Sequence, residues 1–84
     1  MQYDLTKIDE AALALLGAFA QTDRGSHWAW KGLDFELTNR LYQRGLIENP
    51  NNKNKSLVFT SDGIQQARAA ADRLFGQRNS ERAI

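Results

Sequence analysis

The side chains best suited to recognition fall into three short groups. Glu36, Asn39, Arg40 and Gln43 follow an i, i+3, i+4, i+7 spacing, so a helix would carry them as one narrow polar stripe. Arg suits the guanine edge and Asn or Gln the adenine edge in a major groove, which makes Asn39, Arg40 and Gln43 candidate readers of duplex DNA. The same stripe also reads as a solvated face, with Glu36 and Arg40 forming an ordinary i,i+4 pair. Lys53 and Lys55 lie in a polar segment, Glu48 to Lys55, and are candidate phosphate contacts whose loss would reduce salt sensitivity. That segment is equally what a plain chain reversal uses, being rich in Asn and containing Pro50. Trp28 and Trp30, with His27 beside them, form the third group. Trp is enriched at interface hot spots, so these residues are candidate anchors for a protein partner, although at least one indole is expected to fill the core.

Chemistry of other kinds is hard to build from this chain. It has no cysteine, which excludes disulfides and thiolate metal sites, and its one histidine, His27, has no cluster of carboxylates beside it. Ser26 precedes His27 directly, but neighbours in an extended segment point to opposite faces, so no nucleophile–base pair can be argued. No glycine-rich phosphate loop or paired-carboxylate motif is present. The expectation is a non-enzymatic protein without cofactor or metal. The formal charge is +1, from 11 Lys and Arg against 10 Asp and Glu. Such a balance favours DNA binding only if the positive charge is gathered on one face.

These groups must be held by few elements, since the chain has 84 residues, 42% of them hydrophobic. That suggests one domain over residues 1–76 and a disordered polar tail over 77–84. A core this small is marginal, so a homodimer is expected. The longest apolar run, Ala11 to Ala20, is too short to span a bilayer, and Met1 to Asp4 do not open a signal peptide. A cytoplasmic setting and no membrane partner follow as expectations.

The spacing predicts a first helix over residues 7–20, started by Thr6, with Ile8, Ala12, Leu15, Leu16 and Phe19 facing inward. Gln21 to Ser26 breaks that pattern. The alternation of Trp28 and Trp30 predicts a short strand with both indoles on one side, paired to a later hairpin. Asp34 caps a second helix running to about Arg44, which Gly45 ends. Its wide apolar arc holds Leu33, Phe35, Leu37, Thr38, Leu41 and Tyr42. Leu46-Ile47 and Ser56 to Thr60 read as the two arms of the hairpin. Thr60 caps a third helix to Phe75, with Ile64, Ala67, Ala71, Leu74 and Phe75 inward and Gly76 as the stop. The fold class is α+β: three helices and a small antiparallel β-hairpin sheet, helices one and three packing across the back of helix two.

Leu37 to Phe75 resembles the second half of a winged-helix domain. It carries a helix ending "NRLYQRGLI", a polar hairpin, a strand ending "LVFT", and "SDG" opening a helix. Regulators of the MarR and PadR type show a similar run, and the resemblance implies a recognition helix and a wing on DNA. Gln21 to Leu33 is too short and too rich in Trp to supply the supporting helix, so the implied fold is a trimmed winged helix. As a whole, the chain is also similar to a family of small bacterial proteins known only as a domain of unknown function, through "YDLTKIDEAALALL" and "AWKG.DFE".

Two functions follow as expectations. The first is a dimeric, DNA-associated transcription regulator using Asn39, Arg40, Gln43, Lys53 and Lys55. The alternative is a protein–protein interaction module, an adaptor or inhibitor of a larger complex, using Trp28, Trp30 and His27.

Overall fold

In the computed structural model, residues 2–51 and 55–76 are described. The carboxylate of Asp4 accepts hydrogen bonds from the backbone N–H groups of Thr6 and Lys7, so helix α1 begins at Leu5 and runs to Ala18. The N-cap is therefore Asp4 and not Thr6. The polar stretch after α1, expected only to break the helix, instead makes strand β1, Gln21–Asp23. A two-residue turn at Arg24 and Gly25 returns the chain as β2, Ser26–Trp30. Both turn residues have positive φ, 52° and 83°, the backbone that matches the twist of a tight hairpin.

Helix α2, Phe35–Gln43, is capped by Asp34, which accepts from the N–H of Glu36. It closes through Arg44 into Gly45, whose φ of 77° is the left-handed conformation expected there. Strand β3, Ser56–Val58, leads to α3, Ser61–Phe75, capped by Thr60.

The three strands form one antiparallel sheet in the order β1-β2-β3. Trp28 lies between Gln21 and Val58, and Trp30 lies opposite Ser56. The expected pairing of the Trp strand with the later hairpin is thus present. The hairpin's first arm is reduced to a bridge between Ile47 and Phe59, extended by a 2.8 Å bond from the Glu48 N–H to the Val58 carbonyl.

Ala29, Leu57 and Phe59 of the sheet meet Leu13 and Leu16 of α1, Leu37 and Leu41 of α2, Leu46, Ile47, and Ile64 and Ala67 of α3 in one core. The helices are arranged differently from the expectation. Helices α1 and α3 pack chiefly on each other and not across the back of α2. Arg73 bonds Glu10 near one end of this pair and Gly17 meets Ala67 near the other, so the two run antiparallel.

Several expected core positions are on the surface: Ile8 and Leu15 of α1, Phe19 that caps it, Phe35 and Tyr42 of α2, and Leu74 and Phe75 of α3. In their place the core takes Leu13 and Ala14 from α1 and Ala70 from α3. The physical reason is a shift of the buried arc of α1 around the helix, towards α3, which draws it onto small side chains.

Candidate functional site

An apolar groove of about 440 Å³ lies between α1 and β2. Ala12, Leu15, Leu16 and Phe19 form one wall, Trp28 to Trp30 the other, and Gly32 and Leu33 close one end. Its rim is large and exposed: Phe19 at 73%, Trp30 at 68% and Leu15 at 50%. Trp28 is half-buried. Scattered exposed apolar residues are ordinary, whereas these line one groove.

Local structure explains how these rings come together. The two-residue turn fixes the β1–β2 register so that Trp28 faces Gln21. Phe19, the residue that caps α1 at its C-terminus, lies two residues before β1 and lines the same groove as Trp30. On the β3 side Trp30 is opposite Ser56, too small to cover an indole. Period-two alternation brings Trp28 and Trp30 to one face, as their spacing predicts.

The α1 wall was legible only in part. Lys7, Ile8, Ala11, Leu15, Ala18 and Phe19 are all exposed, and only Lys7 among them is charged. An apolar arc on both sides of a helix is the signal that one side was left for something other than this core.

Of the residues expected to read DNA, Asn39, Arg40 and Gln43 lie on α2, and Arg40 and Gln43 line one depression with Asp9. Arg40 turns back onto α1, where its Nε and Nη2 donate to Asp9 Oδ2 and Oδ1 at 2.8 and 2.7 Å. This corrects the expected Glu36–Arg40 pair. Asp9 is 4% exposed, and the Arg40 guanidinium holds its carboxyl below the ordinary range, outweighing the burial that pushes it up. The same bond raises Arg40. Asn39 is half-buried, while Gln43 and Lys55 are exposed. Lys53 lies outside the described residues.

His27 parts company with the tryptophans. It sits on the other side of β2, where its Nδ1 is 2.8 Å from the Thr22 hydroxyl and its carbonyl accepts from the Phe59 N–H. It lines a separate, polar depression with Glu48, Ser61 and Arg68. Among the described residues, no three His, Cys, Asp or Glu side chains gather as a metal ion would need, and no helix is long and apolar enough to cross a membrane.

An α+β domain of three helices and a three-stranded sheet, with an apolar groove beside its first helix, is the class that fold and site define. Residues 4–77 match the family described as Domain of unknown function (DUF6429), and the chain belongs to that family. It is similar to the uncharacterized protein y4hR of Sinorhizobium fredii (strain NBRC 101917 / NGR234), 47% identical over 75 residues, covering 89% of this chain and 97% of that protein. No solved structure matches.

Proposed function

We propose that the domain is a protein-interaction module with no catalysis of its own, offering the groove between α1 and β2 to an apolar segment of a protein. The observation that carries this reading is that Phe19 and Trp30, both mostly exposed, line one depression. Aromatic side chains at such a rim desolvate well and supply most of the energy of a contact. A helix laid along the groove would meet Leu15 and Phe19 on one side and the indoles on the other.

The test is recovery of partners from cells of the native host by the tagged full chain. A discrete protein held by the parent and lost with Trp30→Ser or Phe19→Ser, each folded by circular dichroism, is expected. Identical recovery with parent and variants overturns the reading.

The winged-helix likeness and the duplex-DNA function belong to a second reading, with α2 as recognition helix and the Ile47–Phe59 bridge as the base of a wing. Its support is the exposure of Gln43, Arg44 and Lys55. It is the weaker reading because the fork of Arg40, the best guanine ligand on the stripe, is engaged by Asp9. Titration with mixed duplex DNA across a salt series separates the two. Micromolar binding that falls steeply with salt revives the DNA function.

A further inference from the structure

We infer that the occupant of this groove is a second copy of the chain, whose α1 lies antiparallel along the first. The inference rests on the groove being a protein-binding site, and it names the partner. Its starting point is a spacing on the outer side of α1. Leu5, Ile8, Ala12, Leu15 and Phe19 are three, four, three and four residues apart, the 3.5-residue repeat that keeps a seam facing another helix, with Ala12 buried at its floor and the other four exposed. Among the described residues, no helix buries Leu5, Ile8, Leu15 or Phe19, because α1 turns Leu13, Ala14 and Gly17 towards the core and α3; of the seam only Ala12 joins the core.

The seam is close to symmetric about Ala12. Leu5 and Phe19 lie seven residues to either side of it, and Ile8 and Leu15 four and three. A two-fold axis near Ala12 therefore sets Ile8 of one protomer against Leu15 of its partner, and Leu5 against Phe19. Such self-complementarity is what a symmetric dimer requires of one surface patch. The smallest side chain, Ala12, lies beneath the axis, already buried in its own chain, so nothing bulky stands where two helices crossing at about 20° come closest. Leu5 and Ile8 of each copy then enter the end of the partner's groove rimmed by Phe19 and Trp30.

Area and charge agree with this occupant. The exposed parts of Leu5, Ile8, Leu15, Phe19 and Trp30 come to roughly 600 Å². The margins of Ala11, Ala18, Trp28 and Leu33 bring the patch near the roughly 800 Å² that each side of a stable interface covers. Lys7 is the one charged residue on the outer arc, and the antiparallel arrangement carries the two Lys7 side chains to opposite ends, away from each other. A domain with so small a core also gains most from such a partner.

The test is the mass of the untagged full chain by sedimentation, together with Trp emission, over a concentration series. Expected are a dimer at tens of micromolar, dissociation on dilution, and a red shift in emission as Trp30 returns to water. Ile8→Glu or Leu15→Lys alone should weaken association at least ~30-fold while circular dichroism is kept. The two together should restore the dimer at low salt, because antiparallel helices bring each new carboxylate opposite a new ammonium. A parallel pair would bring like charges together and stay apart. A parent that is monomeric at every concentration overturns the inference without variants, and leaves the groove to the partner recovery above. A dimer indifferent to both single substitutions overturns it too, as does a double variant that fails to reassociate.

Discussion

Helix α1 has two sides, and they are built in opposite ways. The side towards α3 is made of small residues: Ala14 is fully buried, Gly17 lies against Ala67, and Ala70 is buried nearby. The side away from α3 carries Ile8, Leu15 and Phe19, each at least a third exposed. A helix that served only this core would place its large side chains inward and polar ones outward. The inner side trades bulk for closeness, letting two backbones approach. The outer side keeps bulk that the described residues leave exposed. Two demands on one helix, a tight intramolecular seam and a second apolar seam, account for the contrast.

Close backbone approaches, one at the start of α3 and one on the inner side of α1, should be the easiest places to break. At Gly63, where α3 begins, an added Cβ would lie 1.6 Å from the Leu46 carbonyl oxygen, a backbone atom that cannot move aside. That carbonyl also accepts from the Thr60 N–H, and the Thr60 hydroxyl donates to the Gly45 carbonyl at 2.6 Å. Gly63→Ala should therefore abolish folding or cost about 4 kcal/mol, lowering the melting midpoint by roughly 15–30 °C. At Gly17 the added Cβ would meet the Ala67 carbonyl oxygen at 2.4 Å. Gly17→Ala forces α1 away from α3 and should cost ~2 kcal/mol, after the ~1 kcal/mol that alanine returns in helix propensity. Thermal melts of both variants check the order. A Gly17→Ala protein as stable as the parent would break the contrast between the two sides.

A smaller effect should come from the ion pair that ties α1 to α2. Folded Asp9 titrates below its ordinary value of 3.8 because Arg40 hydrogen-bonds its charged form. A depressed carboxyl contributes stability that is complete above the unfolded pKa and is lost as pH falls through the folded one. The parent should therefore lose stability in acid, below about pH 4, and Asp9→Asn should be less stable at pH 7 with a flatter acid limb. The loss at pH 7 should be on the order of 5–10 °C in midpoint. Melts between pH 2.5 and 7 measure it, and parallel acid limbs in the two proteins would remove Asp9 from the account.

How far these features were legible depended on the reach of each signal. Local ones read well: the Asp34 and Thr60 caps, the Gly45 stop, and the alternation of Trp28 and Trp30 depend on residues within one or two turns. Strand β1 was missed because Gln21 to Asp23 are polar and wholly exposed, so no apolar period announces them. Only the left-handed turn at Arg24 and Gly25 points to a hairpin there. The inner face of α1 was misplaced because apolar residues occupy most of its circumference, and periodicity then cannot say which arc meets α3. Arg40 shows the same limit for charge. Its helix offered Glu36 at i−4, yet the partner is Asp9, 31 residues away. Among the site residues, the tryptophans were found by spacing. Phe19 and Leu15 were hidden by being counted as core.

The outer side should show the smallest effect on the stability of a single chain, and that makes it the sharpest test of the contrast. Leu15 and Phe19 are half or more exposed, so Leu15→Ser or Phe19→Ser removes little buried area from the protomer. At concentrations low enough to keep chains apart, each should change stability by no more than about 0.5–1 kcal/mol, far less than the substitutions at Gly17 and Gly63. Concentration matters here, because a partner that binds only the folded state raises the parent's midpoint as its concentration climbs above the dissociation constant. Melts of parent and variants should therefore converge on dilution and separate at high concentration. A large loss that persists at low concentration would mean that Leu15 or Phe19 supports the core directly. The two sides of α1 would then serve one purpose, and the groove would lose its claim to be a surface kept for a partner.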